Sequence, residues 1–210
     1  FAACLAALLL AAVPGAGAER VRCGTTTGDI VFDVHREWSP RGAERFLELV
    51  NAGYLNDSPI YRVVPRFLAQ FGVSGDPEVT RQWQEKGPIM DDPNIGIPVR
   101  RGTLAFAGGA KDTRRTEMWI AFQDNEHLGD ADGQTPIAEV VEGMENVDRW
   151  YSGYGDVAQW GGNAPDQGRL YAEGNAFLGH EYPNLSYFTS CAAEQPPAEH
   201  YEQQDDEEPA

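Results

Sequence analysis

Ile60-Tyr61-Arg62-Val63-Val64-Pro65-Arg66-Phe67-Leu68-Ala69-Gln70 is two short β-branched and aromatic runs interrupted by a proline. Such residues fit a pleated surface, and Pro65 cannot donate to a ladder, so the stretch predicts strands over 60–64 and 67–71 joined at the proline. Arg62 sits in the middle of the first apolar run. A desolvated guanidinium left unpaired costs several kcal/mol, so this side chain must find acceptors. On residues alone it reads either as half of a structural ion pair or as a functional donor.

Toward the C terminus, residues 72–101 are polar and rich in Pro and Gly, which predicts a long wrapping or functional loop. Strands are predicted over 102–107, 118–122 and 137–141, and a short helix over 144–151. Residues 152–166 are Gly-rich and aromatic. A third helix over 168–182, begun by Pro165-Asp166, and a last strand over 185–190 complete the pattern. Toward the N terminus, Thr25-Thr26-Thr27-Gly28-Asp29 is turn chemistry ahead of a strand over 30–35. A helix follows, with Ser39 as N-cap, Pro40 in its first position, and Ala43, Phe46, Leu47 and Val50 on one face until Gly53. Many short strands with only two or three helices predict a mainly β closed barrel, which leaves no exposed edge.

Residues 1–12 are apolar without a charge, and small residues at 16–18 precede the first acid, Glu19. The run falls short of the ~20 residues that span a bilayer, and the small residues suit a signal peptidase. This predicts a signal peptide over 1–18, no membrane anchor after cleavage, and an exported product, periplasmic or secreted. Cys4 leaves with the leader. Cys23 and Cys191 then remain in an oxidising setting, where they are either bridged or free; spacing does not decide between the two. At the other end, residues 194–210 hold seven acids and no Lys or Arg, so 192–210 is expected to be a disordered acidic tail. Between these ends, 19–191 is read as one domain and a monomer.

The net charge is -17, and the pairs Arg100-Arg101 and Arg114-Arg115 are too small a footprint for a phosphate backbone, which excludes nucleic acid as a partner. No metal is expected. Two lone cysteines cannot complete a tetrahedral zinc site, His127 has no second His at ligand spacing, and Asp130-Ala131-Asp132-Gly133 with Glu139 imitates a calcium loop whose first position is Leu128. Gly72-Val73-Ser74-Gly75-Asp76 lacks the last glycine of a nucleophile elbow.

The opening tract resembles the signature of the cyclophilin family of peptidyl-prolyl isomerases through Arg62, Pro65, Phe67 and Gln70, with departures at Tyr61, Arg66 and Phe71. Two further blocks are similar in register: Gly102-Thr103-Leu104-Ala105-Phe106-Ala107 with Met118-Trp119-Ile120, and Ile137-Ala138-Glu139-Val140-Val141-Glu142-Gly143-Met144. The resemblance implies an eight-stranded antiparallel barrel capped by two helices, with a substrate groove on its outer face. It implies that Arg62 is catalytic, that Phe67, Leu68, Ala107, Trp119 and Leu128 line a proline pocket, and that Gln70, Gly108 and Glu117 hold the neighbouring backbone. Residues 152–184 form a C-terminal extension similar to one in some bacterial exported members, with no site assigned to it. The implied partners are proline-containing unfolded or nascent exported polypeptides, and no cofactor is needed.

Three departures set expectations. Glu117 stands where the family usually has Gln, and is expected to clamp Arg62 in an ion pair that competes with substrate, so that Glu117→Gln raises kcat/KM. Trp119 replaces a Phe and is expected to make the proline pocket shallower. His127 replaces a cyclosporin-contacting Trp and predicts weak drug binding. The alternatives are a proline-peptide binding or chaperone module with little turnover, and a structural barrel acting through its acidic tail.

Overall fold

The computed structural model describes residues 19–129 and 133–194. The expected leader, Asp130-Ala131-Asp132, and the tail from residue 195 lie outside the described residues.

The first strand, β1 (Glu19–Thr25), was not expected from the sequence. It alternates charged and apolar residues, and the turn chemistry begins only at its last residue. Then follow β2 (Ile30–Val34), α1 (Pro40–Asn51), β3 (Pro59–Ile60), β4 (Arg62–Val64), β5 (Leu68–Phe71), α2 (Pro77–Lys86), β6 (Thr103–Phe106), β7 (Met118–Ala121), β8 (Pro136–Glu142), α3 (Met144–Val147), α4 (Gln167–Glu181) and β9 (Ser186–Ala193). The sheet order is β3-β9-β1-β2-β8-β6-β7-β5-β4, and its pairs are antiparallel. The two end strands, β3 and β4, are separated in sequence by Tyr61 alone, so they are two pieces of one bent strand. One piece pairs with β9 and the other with β5, which closes the barrel; counted this way, the nine short strands make the expected eight.

Alternation along the strands sorts the side chains. Val63, Ala69, Ile120 and Leu104 are partners across β4, β5, β7 and β6 and point into the core, together with Phe71, Met118 and Phe106. Arg62, Gln70, Trp119 and Ala105 form the adjacent row. A period of two puts that row on the outer wall. The register that buries the core therefore also fixes which residues face the groove.

Helix α1 buries the predicted face, Ala43, Phe46, Leu47 and Val50. Its cap differs from expectation. Ser39 makes no side-chain cap; its hydroxyl donates to Asp92, and Asp92 accepts from the backbone N–H groups of Arg41 (3.1 Å) and Gly42 (2.9 Å). A carboxylate from the wrapping loop thus caps α1, and the buried Arg114 pairs with that carboxylate at 3.0 Å. Gly42 is required here, because an added Cβ would lie 2.5 Å from the Ser39 hydroxyl.

The loop predicted over 72–101 contains α2, capped by the Asp76 side chain on Glu78 N–H at 2.8 Å with Pro77 in its first turn. Thr80 is its one fully buried residue, so the apolar periodicity that marks a helix was absent. Helix α3 is one turn, shorter than the 144–151 expected. Helix α4 lies where predicted, kinked at Gly174 (φ 57°), where an added Cβ would meet the Gly75 carbonyl at 2.2 Å. Leu170, Phe177 and Leu178 of α4 cover Tyr61, Val73 and Leu185 in a second apolar cluster. Among the described residues the barrel thus carries four α-helices, two more than the resemblance implied.

Strand β9 runs through Ala193, three residues past the last strand expected over 185–190, and Glu194 N–H bonds to the Arg20 carbonyl at 2.8 Å. Cys23 and Cys191 face each other across β1 and β9 and are bridged. Among the described residues no helix is long and apolar enough to cross a membrane.

Candidate active site

A groove of about 510 Å³ runs along the outer wall. It is lined by Arg62, Phe67, Leu68, Gln70, Ala107, Gly108, Trp119 and Leu128, so eight of the nine residues expected at the catalytic and substrate sites come together. Leu68, Ala105 and Trp119 form a closed apolar floor with Val99 and Ala121, and Phe67, Ala107 and Leu128 pack against it. Trp119 is almost wholly buried in this floor.

Arg62 is held on two sides. Its Nη1 donates to Gln70 Oε1 at 3.0 Å, the pairing that the β4–β5 register sets up. Its Nε donates to Asp156 Oδ1 at 2.7 Å. Among the described residues no acceptor is bonded to Nη2. Arg62 is only 8% exposed yet lines the groove, so the unused donors of its planar fork are left for a ligand.

The expected Glu117–Arg62 pair is absent, and Glu117 does not line the groove. Its carboxylate lies behind Gln70 and accepts from Gln70 Nε2 (2.9 Å), Gln167 Nε2 (2.9 Å) and the hydroxyls of Tyr61 and Tyr171. Four donors converge on this one acid. An ionised carboxylate only accepts, so its contact fixes the Gln70 amide with its nitrogen toward Glu117 and its oxygen toward Arg62. Burial, reinforced by the nearby Glu117 charge, pushes the Tyr61 and Tyr171 hydroxyls well above the usual range, so both remain protonated donors. Glu117 therefore acts on Arg62 through Gln70.

The partner that does touch Arg62, Asp156, comes from the extension to which the sequence assigned no site. Val157, Gln159, Trp160 and Gln167 of the same segment also line the groove. The Trp160 ring lies 5.0 Å from Arg62 Cζ, and the Phe67 ring lies 6.0 Å from it. The signal that could have found Asp156 is physical: an arginine in an apolar strand requires an acid, and the extension holds two of them, Asp156 and Asp166, before its helix. His127 is exposed and does not line the groove.

The sequence model described as cyclophilin type peptidyl-prolyl cis-trans isomerase/CLD matches residues 20–165. Peptidyl-prolyl cis-trans isomerase B of Escherichia coli is 32% identical over 132 residues, 60% of this chain and 79% of that protein. Peptidyl-prolyl cis-trans isomerase-like 2 of Aspergillus fumigatus is 30% identical over 137 residues, 59% of this chain but 23% of that longer protein. In fold, a cyclophilin type isomerase of Cryptosporidium parvum superposes with a TM-score of 0.62 at 17% identity, covering 86% of this chain and 100% of its own. A barrel closed through the strand that bears Arg62, a groove on its outer wall, and a family match across most of the described residues lead to one assignment: the chain belongs to the cyclophilin-type peptidyl-prolyl cis-trans isomerase family.

Proposed function

We propose that this chain accelerates rotation about X-Pro bonds in exported polypeptides and so assists their folding. The observation that carries the reading is Arg62, held by Gln70 and Asp156 with donors left over, at the edge of the apolar floor of Leu68 and Trp119. Rotation about the peptide bond faces a barrier of ~18–20 kcal/mol because amide resonance is lost, and no bond is made or cleaved. In the twisted state the proline nitrogen becomes pyramidal and regains a lone pair. A donor from Arg62 then stabilises that state more than the planar one, and the surrounding apolar wall strengthens the hydrogen bond by excluding water. The proline ring rests on Phe67, Leu68, Trp119 and Leu128, and neither metal nor cofactor takes part.

Export, to the periplasm or outside the cell, is supported by the apolar run at 1–12 and by the Cys23–Cys191 bridge, which belongs to an oxidising compartment; the same reading takes the chain as a bacterial form working as a monomer. A second reading, a proline-peptide binding module with little turnover, is favoured by one observation: Asp156 occupies a donor of Arg62. A protease-coupled assay on an X-Pro peptide separates the two. An isomerase accelerates the reaction and loses ~10²–10³ of that rate in Arg62→Ala, the effect of deleting one preorganised donor. Equal rates for wild type and Arg62→Ala would rule the isomerase reading out.

A further inference from the structure

We infer that Trp160 is a specificity-determining residue of the substrate groove, taking an apolar or aromatic side chain within three positions of the proline. This rests on the reading of the groove as a site for prolyl polypeptides and adds a substrate class to it. Trp160 is 64% exposed, the largest such value among the exposed large apolar residues. It is not a scattered surface residue, since it lines the same groove as Arg62.

The indole is presented on a rigid loop. Trp160 N–H bonds to the Val157 carbonyl (2.9 Å), Gly162 N–H to Val157 (3.2 Å), Asn163 N–H to Tyr154 (2.8 Å), and Ala164 N–H to Asp156 (2.9 Å). Asp156 Oδ1 accepts from Val157 N–H at 2.7 Å as well as from Arg62. Gly162 leaves no space, as an added Cβ would lie 1.8 Å from the Asp156 carbonyl. A ring carried on a backbone already held in place lowers the ordering entropy that binding costs.

Geometry selects the occupant. The Phe67 and Trp160 rings both lie within 6.0 Å of Arg62 Cζ. An extended chain advances ~3.3–3.6 Å per residue, so a polypeptide with its proline against Phe67 carries a residue one to three positions away onto Trp160. Continuity with the Arg62 groove therefore argues for substrate over a second copy of the chain.

The test uses Ala-based peptides with a central proline and a single Phe at each of the three positions on either side, with Kd measured by calorimetry. In the wild type, Phe at one position is expected to bind at least about fivefold tighter than Ala, the scale of one aromatic contact. Trp160→Ala should reduce that ratio below twofold, and Trp160→Phe should retain most of it. No Phe preference in the wild type, or the same preference in Trp160→Ala, overturns the inference. So does a Trp160-dependent dimer in sedimentation with peptide selectivity unchanged. Because the readout is a binding ratio, the inference is decided separately from turnover, which tests the isomerase reading through Arg62→Ala.

Discussion

Replacing Asp156 with Ala removes the acceptor from Arg62 Nε, which it holds at 2.7 Å, and leaves Gln70 as the remaining restraint on the guanidinium. A hydrogen bond to a charged group is worth ~1.5–3 kcal/mol. The Asp156 side chain is 21% exposed, so water recovers part of this, and ~1–2 kcal/mol of ordering is lost. If that ordering is present in the twisted state, kcat/KM falls by ~5–30-fold. The loss should appear mainly in kcat, because the apolar lining of Phe67, Leu68, Trp119 and Leu128 is left unchanged. Asp156→Asn keeps an oxygen at the same place and should stay within about threefold of wild type, since the argument depends on an acceptor. The assay is protease-coupled isomerisation at saturating and limiting peptide, with thermal unfolding to confirm that both variants fold. A rate for Asp156→Ala at or above the wild-type value would refute the reasoning and identify Asp156 as a competitor of substrate. An Asp156→Asn variant as slow as Asp156→Ala would also refute it.

Glu117→Gln should not raise kcat/KM, contrary to the expectation from sequence: it weakens the hub that orients Gln70 and should lower stability by ~1–2 kcal/mol in urea unfolding, with activity equal or reduced. An increase in activity would restore a direct clamp on Arg62. Reducing the Cys23–Cys191 bridge, or replacing both cysteines with Ser, frees a sequence separation of 168 residues and should cost ~2–5 kcal/mol, read as a lower denaturation midpoint. Burial alone would raise the Asp92 pKa, but hydrogen bonds from Ser39, the Gly42 and Arg41 N–H groups and Arg114 outweigh it and hold the carboxyl below its usual value. A depressed acid contributes stability that is complete above its unfolded pKa of ~3.9 and is lost as pH falls through the lower folded value. Acid titration of unfolding should therefore show a loss below about pH 4 that Asp92→Asn, already destabilised at neutral pH, shows less steeply.

What the sequence disclosed and what it hid have separate physical causes. The strands from 60 to 71 and the α1 face were legible because burial imposes a period on apolar residues, and Val63, Ala69, Phe46 and Val50 obey it. Helix α2 was hidden because it sits half on the surface with little apolar stripe to betray it, although Asp76-Pro77-Glu78 is a start signal. The groove residues were legible through resemblance, and no periodicity would have singled out Ala107 or Leu128. The resemblance pointed to Glu117 as the partner of Arg62, because that acid stands where the family usually has Gln. Glu117 does reach the site, but it bonds to Gln70, whose amide stands between it and Arg62. Asp156 lies 94 residues from Arg62, and no local pattern encodes a contact at that separation.

The position of the extension explains how it reaches the site without disturbing the barrel. It leaves after Trp150 and returns at β9, and the two ends meet: Tyr151 N–H donates to the Ser186 hydroxyl at 3.0 Å. An excursion whose ends already touch adds loop entropy but imposes no strain on the strands it joins. The meeting point is also the closure of the barrel, since Ser186 pairs with Ile60, two residues before Arg62. Whatever is inserted there emerges beside the strand that bears Arg62. Here it contributes Asp156 and Trp160 to the groove, and its helix supplies Gln167 and Tyr171 to Glu117 on the other side of Gln70. Arg62 is consequently restrained by one contact from the barrel and another from the extension, and its placement depends on both parts being folded together.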